Sequence, residues 1–112
     1  MNSTENQIIF IYSTFPDLTS ARSSARQLTE DKLIACANIF PEMHSTYWWE
    51  NKIEESTEVV AIFKTKADLF DRCEQALKKS HPYTTPCIVA INIANGNADY
   101  LTWITQAVEA SK

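Results

Sequence analysis

The chain has 112 residues, 45% hydrophobic and 21% charged, with a net charge of −4. That length and balance describe one soluble domain with a modest core, taken as residues 1–112 with a disordered tail over about the first six. No basic run of five or more residues occurs, so the electrostatic footprint of a nucleic-acid binder is missing.

The N-terminus, MNSTENQIIFIYSTF, has no basic leader, and its apolar run is only five or six residues long. Neither a secretory signal nor a membrane span is expected. Residues 7–13, QIIFIYS, are rich in isoleucine and aromatics and predict a buried strand. Pro16 breaks it, and Asp17 is placed to cap a helix. Ala21, Ala25, Leu28 and Leu33 recur at helical spacing, which predicts a helix over 18–33.

Residues 34–40, IACANIF, suit a second strand, interrupted over 41–45 by a bend or bulge because Pro41 has no N–H for a ladder. Extended pattern resumes over 46–50, and Asn51 and Lys52 predict a hairpin turn. The return strand, 53–65, is polar in its first half and apolar on both faces in its second, VVAIF. A strand with one wet face alternates; this one needs two covers, a helix layer on one side and a second subunit on the other.

Thr65 to Asp68 fits a loose capping pattern. Leu69, Phe70, Cys73, Ala76 and Leu77 then form a helical stripe, which must stop near Ser80 because Pro82 disfavours helix in the residue before it. A last strand is predicted over 87–94, a turn over 95–97 with the single glycine, Gly96, and a final helix over 98–110. The order β-α-β-β-α-β plus a C-terminal helix is the split βαβ, or ferredoxin-like, α+β pattern. Its two helices cover one sheet face and leave the other for self-association.

Cys36, Cys73 and Cys87 are odd in number and scattered, which points to no disulfide framework or zinc knuckle and to a reducing cytoplasm. His81 is one of two histidines. It reads either as a metal ligand or acid–base group or as a helix-end residue ordering the corner. Cys87 reads as a buried, strand-opening thiol or as part of the same cluster. Glu58 and Lys64 stand six apart on one strand and so share a face; they meet His81 and Tyr83 in a cleft or form a solvated ion pair. Tyr47, Trp48 and Trp49 lack the basic neighbours of a base-stacking surface and are expected at an interface.

Four stretches together, LIACANIF (33–40), TYWWENKIEESTEVVAIFKT (46–65), HPYTTP (81–86) and DYLTWI (99–104), make the chain resemble the CutA family of divalent-cation tolerance proteins from about residue 8 onward. The resemblance implies a ferredoxin-like subunit in a tight homotrimer joined by edge-to-edge strands, similar in architecture to the PII signalling trimers. It also implies copper or another divalent cation as a ligand in some members. The copper ligands of such members fall here on Ser13, Ser80 and His81, so two of three donors are replaced by hydroxyls that suit copper poorly. Cys87 stands where the family usually has glutamate. The resulting expectation is a metal-response protein that binds rather than catalyses, with a degenerate metal site, no nucleic-acid or membrane partner, and a cleft built from Glu58, Lys64, His81, Tyr83 and Cys87. The alternatives are a PII-like small-ligand sensor and an enzyme acting on a small molecule in that cleft.

Overall fold

A computed structural model describes residues 7–109; the expected tail over 1–6 and residue 110, where the final helix was expected to end, lie outside the described residues, and that helix ends at Ala107. Seven main elements follow in chain order. They are β1 (Ile8–Phe15), α1 (Leu18–Glu30), β2 (Cys36–Trp49), β3 (Lys52–Lys66), α2 (Phe70–Ser80), β4 (Ile88–Asn92) and α3 (Ala98–Ala107). The four strands form one sheet in the order β2-β3-β1-β4, every neighbouring pair antiparallel. This is the ferredoxin-like arrangement.

Strand alternation sorts the central strands onto two faces. Ile9, Ile11 and Phe15 of β1 and Val59, Ala61 and Phe63 of β3 join Ala21, Ala25 and Leu28 of α1 and Cys73 and Leu77 of α2 in the main core. Phe15 and Phe63 meet edge to face, their centroids 6.4 Å apart. Cys73 packs as read from the sequence: its thiol donates to the Leu33 carbonyl, and burial pushes it up to about 12.

Helix α1 starts as expected, with the Asp17 carboxylate accepting the Ser20 N–H at 2.7 Å. It ends at Glu30, earlier than predicted, because Lys32 turns left-handed at φ 58°. The Leu33 N–H then reaches back to the Leu28 carbonyl and the Lys32 N–H to the Thr29 carbonyl, a Schellman ending. Leu33 therefore belongs to the helix stop, buried with Leu28, and not to the helical stripe.

Of the bend or bulge expected over 41–45, the structure has the bulge, within one long strand. The β2–β3 register shifts between Phe40 and Met43 and pairing resumes to Trp49. A bulge accommodates a proline that cannot donate to the ladder. The turn falls one residue earlier than expected: Glu50 and Asn51 carry positive φ angles of 51° and 66°, and Lys52 already pairs with Trp49. Positive φ at both central residues is the type I′ geometry that matches hairpin twist. Strand β3 runs through the predicted cap to Lys66, and a short 3₁₀ turn at Ala67–Leu69 leads into α2. Strand β4 is shorter than 87–94.

Beyond the Phe15–Val59 pair, β2 and β3 continue as a two-stranded arm, with no third strand among the described residues. The arm stretches the chain to 46 × 27 × 22 Å. Its radius of gyration, 14.9 Å, exceeds the roughly 13 Å of a compact chain of this length. Trp48 and Ile53 pair across the arm and are 72% and 62% exposed.

Helix α3 covers one end of the sheet face opposite α1 and α2, where Ile104, Val108 and Ile8 are buried. Lys64 anchors it, its ammonium lying 5.0 Å from the Phe10 ring centroid and donating to the Tyr100 hydroxyl at 3.0 Å. Phe40, Val89 and Ile91 on the same face stay exposed.

Ser13 is fully buried, and its hydroxyl has no hydrogen-bond partner. A desolvated, unpaired hydroxyl costs about 1–3 kcal/mol. Ser13→Ala is therefore expected to stabilise the fold by about 1 kcal/mol, since the small volume lost offsets part of the gain. Urea unfolding should show a higher midpoint at unchanged slope.

Candidate functional site

The site forms where the 81–87 corner meets the base of the arm. Pro82 keeps His81 out of the helix, and His81 takes an extended conformation at φ −71° and ψ 135° while its N–H closes α2 on the Leu77 carbonyl. Its ring turns back over the end of β1. There Nε2 lies 2.9 Å from the Thr14 carbonyl oxygen, Nδ1 lies 3.2 Å from the Tyr83 backbone nitrogen, and the ring stacks on Phe15 at 4.4 Å. A carbonyl only accepts, so Nε2 carries the proton and Nδ1 accepts the Tyr83 N–H. Burial holds the imidazole below its ordinary pKa, against the opposing pull of the Thr14 carbonyl.

Tyr83 follows from this anchoring. Its hydroxyl donates to Glu58 Oε2 at 2.7 Å, while Ser45 donates to Glu58 Oε1 at 2.7 Å. One carboxylate thus ties the corner to both strands of the arm. Burial, reinforced by the bond to Glu58 and its charge, raises the Tyr83 phenol well above its usual range. Partial desolvation by the cleft wall and the same carboxylate raise the Cys87 thiol, keeping it protonated at neutral pH although the residue is exposed. Tyr12 is raised by burial first and donates to the Met43 sulfur at 3.3 Å.

Between corner and arm lies an open cleft of about 650 Å³, lined in part by Tyr47, Trp49, Glu54, Glu58, Tyr83 and Cys87. Of the residues expected in a common cleft, Glu58, Tyr83 and Cys87 line it, and His81 braces Tyr83 from behind. Lys64 stands apart. It shares the face of Glu58, but six residues of strand separate them by roughly 20 Å, and its ammonium is engaged with α3. Cys87 is exposed and not the buried thiol that its strand-opening position suggested. Tyr47 and Trp49, which sequence reading assigned to an interface, line the cleft together with Glu54. The signal was present in hairpin pairing, which sets Tyr47 opposite Glu54 and Met43 opposite Glu58, but a turn placed one residue late shifts that register.

The donors do not fit copper. The Ser13 side chain is buried in the sheet, Ser80 is exposed, and both His81 nitrogens are engaged within the chain. Among the described residues no three of His, Cys, Asp or Glu come together in a metal-holding group. A soft or borderline metal favours imidazole and thiolate, and here the one imidazole at the corner has no free lone pair.

The family model described as CutA1 divalent ion tolerance protein matches residues 9–107. The divalent-cation tolerance protein CutA of Pyrococcus horikoshii is 44% identical over 99 residues, covering 88% of this chain and 96% of that protein. The solved structure of the periplasmic divalent cation tolerance protein CutA from Archaeoglobus fulgidus superposes with a TM-score of 0.88 at 46% identity, covering 91% of this chain and 99% of its own. CutA1 from Oryza sativa superposes with a TM-score of 0.90 at 35% identity, over 97% and 100% of the two chains.

Proposed function

The chain belongs to the CutA1 divalent ion tolerance family, and from that premise we propose that it works as a homotrimer in the response to divalent metal ions, with a degenerate copper site. The observation that carries the trimer is the uncovered apolar surface. Phe40, Val89 and Ile91 on one sheet face and Trp48 and Ile53 on the arm are all exposed in the single chain. A two-stranded arm is marginal by itself, and a second copy packed along it supplies the missing layer. Strands β2 and β4 are the two edges of the sheet, and the β2 edge of one copy joined to the β4 edge of the next makes a ring, which the family resemblance sets at three copies. Three free thiols in 112 residues suit a reducing cytoplasm.

Sedimentation equilibrium tests the assembly and is expected to give three times the 12.7 kDa of one chain. Calorimetric titration of copper(II) onto that assembly is expected to show weak binding or none, and His81→Ala lowers whatever uptake exists. Tight, stoichiometric uptake in the wild type would show that the copper site is intact after all.

The cleft supports a second reading, a PII-like sensor in which a small ligand binds between corner and arm. Glu58 bridges the two, so a ligand that engages it bears directly on how the arm meets a neighbouring copy.

A further inference from the structure

We propose that the cleft between the arm and the 81–87 corner binds a small organic ammonium ion, held by the Glu54 and Glu58 carboxylates among the rings of Tyr47, Trp49 and Tyr83. This rests on the reading of the cleft as a ligand site and adds the class of ligand.

Charge comes first. The cleft lining contains two carboxylates and neither lysine, arginine nor histidine. Glu58 is held by two hydroxyls, which orient it without cancelling its charge. An anion is repelled from such a cleft, and a neutral ligand leaves its charge unanswered.

The kind of cation follows from the other groups. A transition metal wants thiolate or imidazole, whereas the Cys87 thiol is kept protonated and His81 faces Thr14 and Tyr83. A hard cation such as calcium wants six or more oxygens at short range, and the described residues bring no three acidic, thiol or imidazole groups together. Three aromatic side chains line the cleft instead. Aromatic rings beside a carboxylate are the chemistry that recognises alkylammonium groups, through the ring quadrupole and the opposite charge together. The chain uses the same chemistry elsewhere, where the Lys64 ammonium lies over Phe10 and Tyr100. A cleft of about 650 Å³ lies within the range that takes a small molecule.

Calorimetry on the full chain with choline as the probe tests this, beside its neutral carbon isostere dimethylbutanol and, separately, copper(II). Choline is expected to give saturable binding, and the isostere to bind at least about tenfold more weakly. Glu58→Gln and Trp49→Leu are each expected to weaken choline by about tenfold. Trp49 is exposed, so its replacement leaves the fold intact by circular dichroism even if Glu58→Gln loosens the arm. Equal binding of choline and isostere, no choline binding, or undiminished choline binding in Trp49→Leu each overturns the proposal. If choline fails while copper binds in a Glu58-dependent way, the ammonium class falls and the cleft remains a ligand site. If neither binds, both fall.

Discussion

Glutamate placed at both Phe40 and Ile91 is expected to reduce the proposed trimer to single chains. The two side chains lie on the sheet face away from α1 and α2, one on each edge strand, and are 52% and 50% exposed in the isolated chain. In a ring that joins the β2 edge of one copy to the β4 edge of the next, both are buried. Each substitution removes about 1.5–3 kcal/mol of apolar burial and forces a carboxylate out of water without a partner. The loss is at least about 3 kcal/mol per interface, more than roughly a hundredfold in association. In the dissociated chain the same carboxylates are solvated, so the far-ultraviolet dichroism should keep the signal of the helices and the four-stranded part of the sheet, with only the arm's share reduced. Sedimentation equilibrium decides the matter, and a double variant that still sediments as three chains would place the covered surface elsewhere.

His81→Ala is expected to cost about 2–4 kcal/mol of folding stability. The imidazole donates to the Thr14 carbonyl, accepts the Tyr83 N–H and stacks on Phe15. Thr14 is itself buried, so removing the ring leaves its carbonyl desolvated and unpaired, which alone costs about 1–3 kcal/mol. The aromatic stack adds about 0.5–1.5 kcal/mol. Ser80→Ala, one residue away on an exposed side chain, is expected to stay within about 0.5 kcal/mol of wild type. Denaturant titration of the two variants separates a bracing histidine from a solvent-facing one.

The same ring sets a pH dependence. Burial lowers the His81 pKa in the folded state, so the unfolded chain takes up the proton first. The stability contributed by the neutral ring is complete above about pH 6.5, the ordinary imidazole value. It is lost as pH falls from there through the depressed folded-state value. Wild-type stability should therefore decline on acidification through that window, and His81→Ala should decline less. Equal slopes would exclude His81 as the source.

The pattern of apolar residues determined the fold by itself. The apolar run over 7–13, the helical stripes in α1 and α2, and the apolar character of 59–63 are local properties, and the element order they give admits few sheet topologies. The HPY corner was legible for a similar reason, since Pro82 restricts the residue before it. The helix ending at Lys32 was not legible, because a left-handed lysine carries no glycine to mark it. A bend or bulge at Pro41 was legible because a proline removes one donor, whereas the continued pairing on either side of it depends on β3.

Tertiary structure alone decided the cleft's membership. Glu58 and Tyr83 are 25 residues apart in sequence, and their meeting depends on how the corner folds back onto the arm. Lys64 matched Glu58 in face and parity, but distance along the strand removed it, and α3 claimed its ammonium. The role of His81 turned on where its two nitrogens point, which no spacing in the sequence encodes. Periodicity fixes which side of an element a residue occupies. Which residues from different elements come within hydrogen-bond reach is set by packing, and the chemistry of this site follows from that second choice.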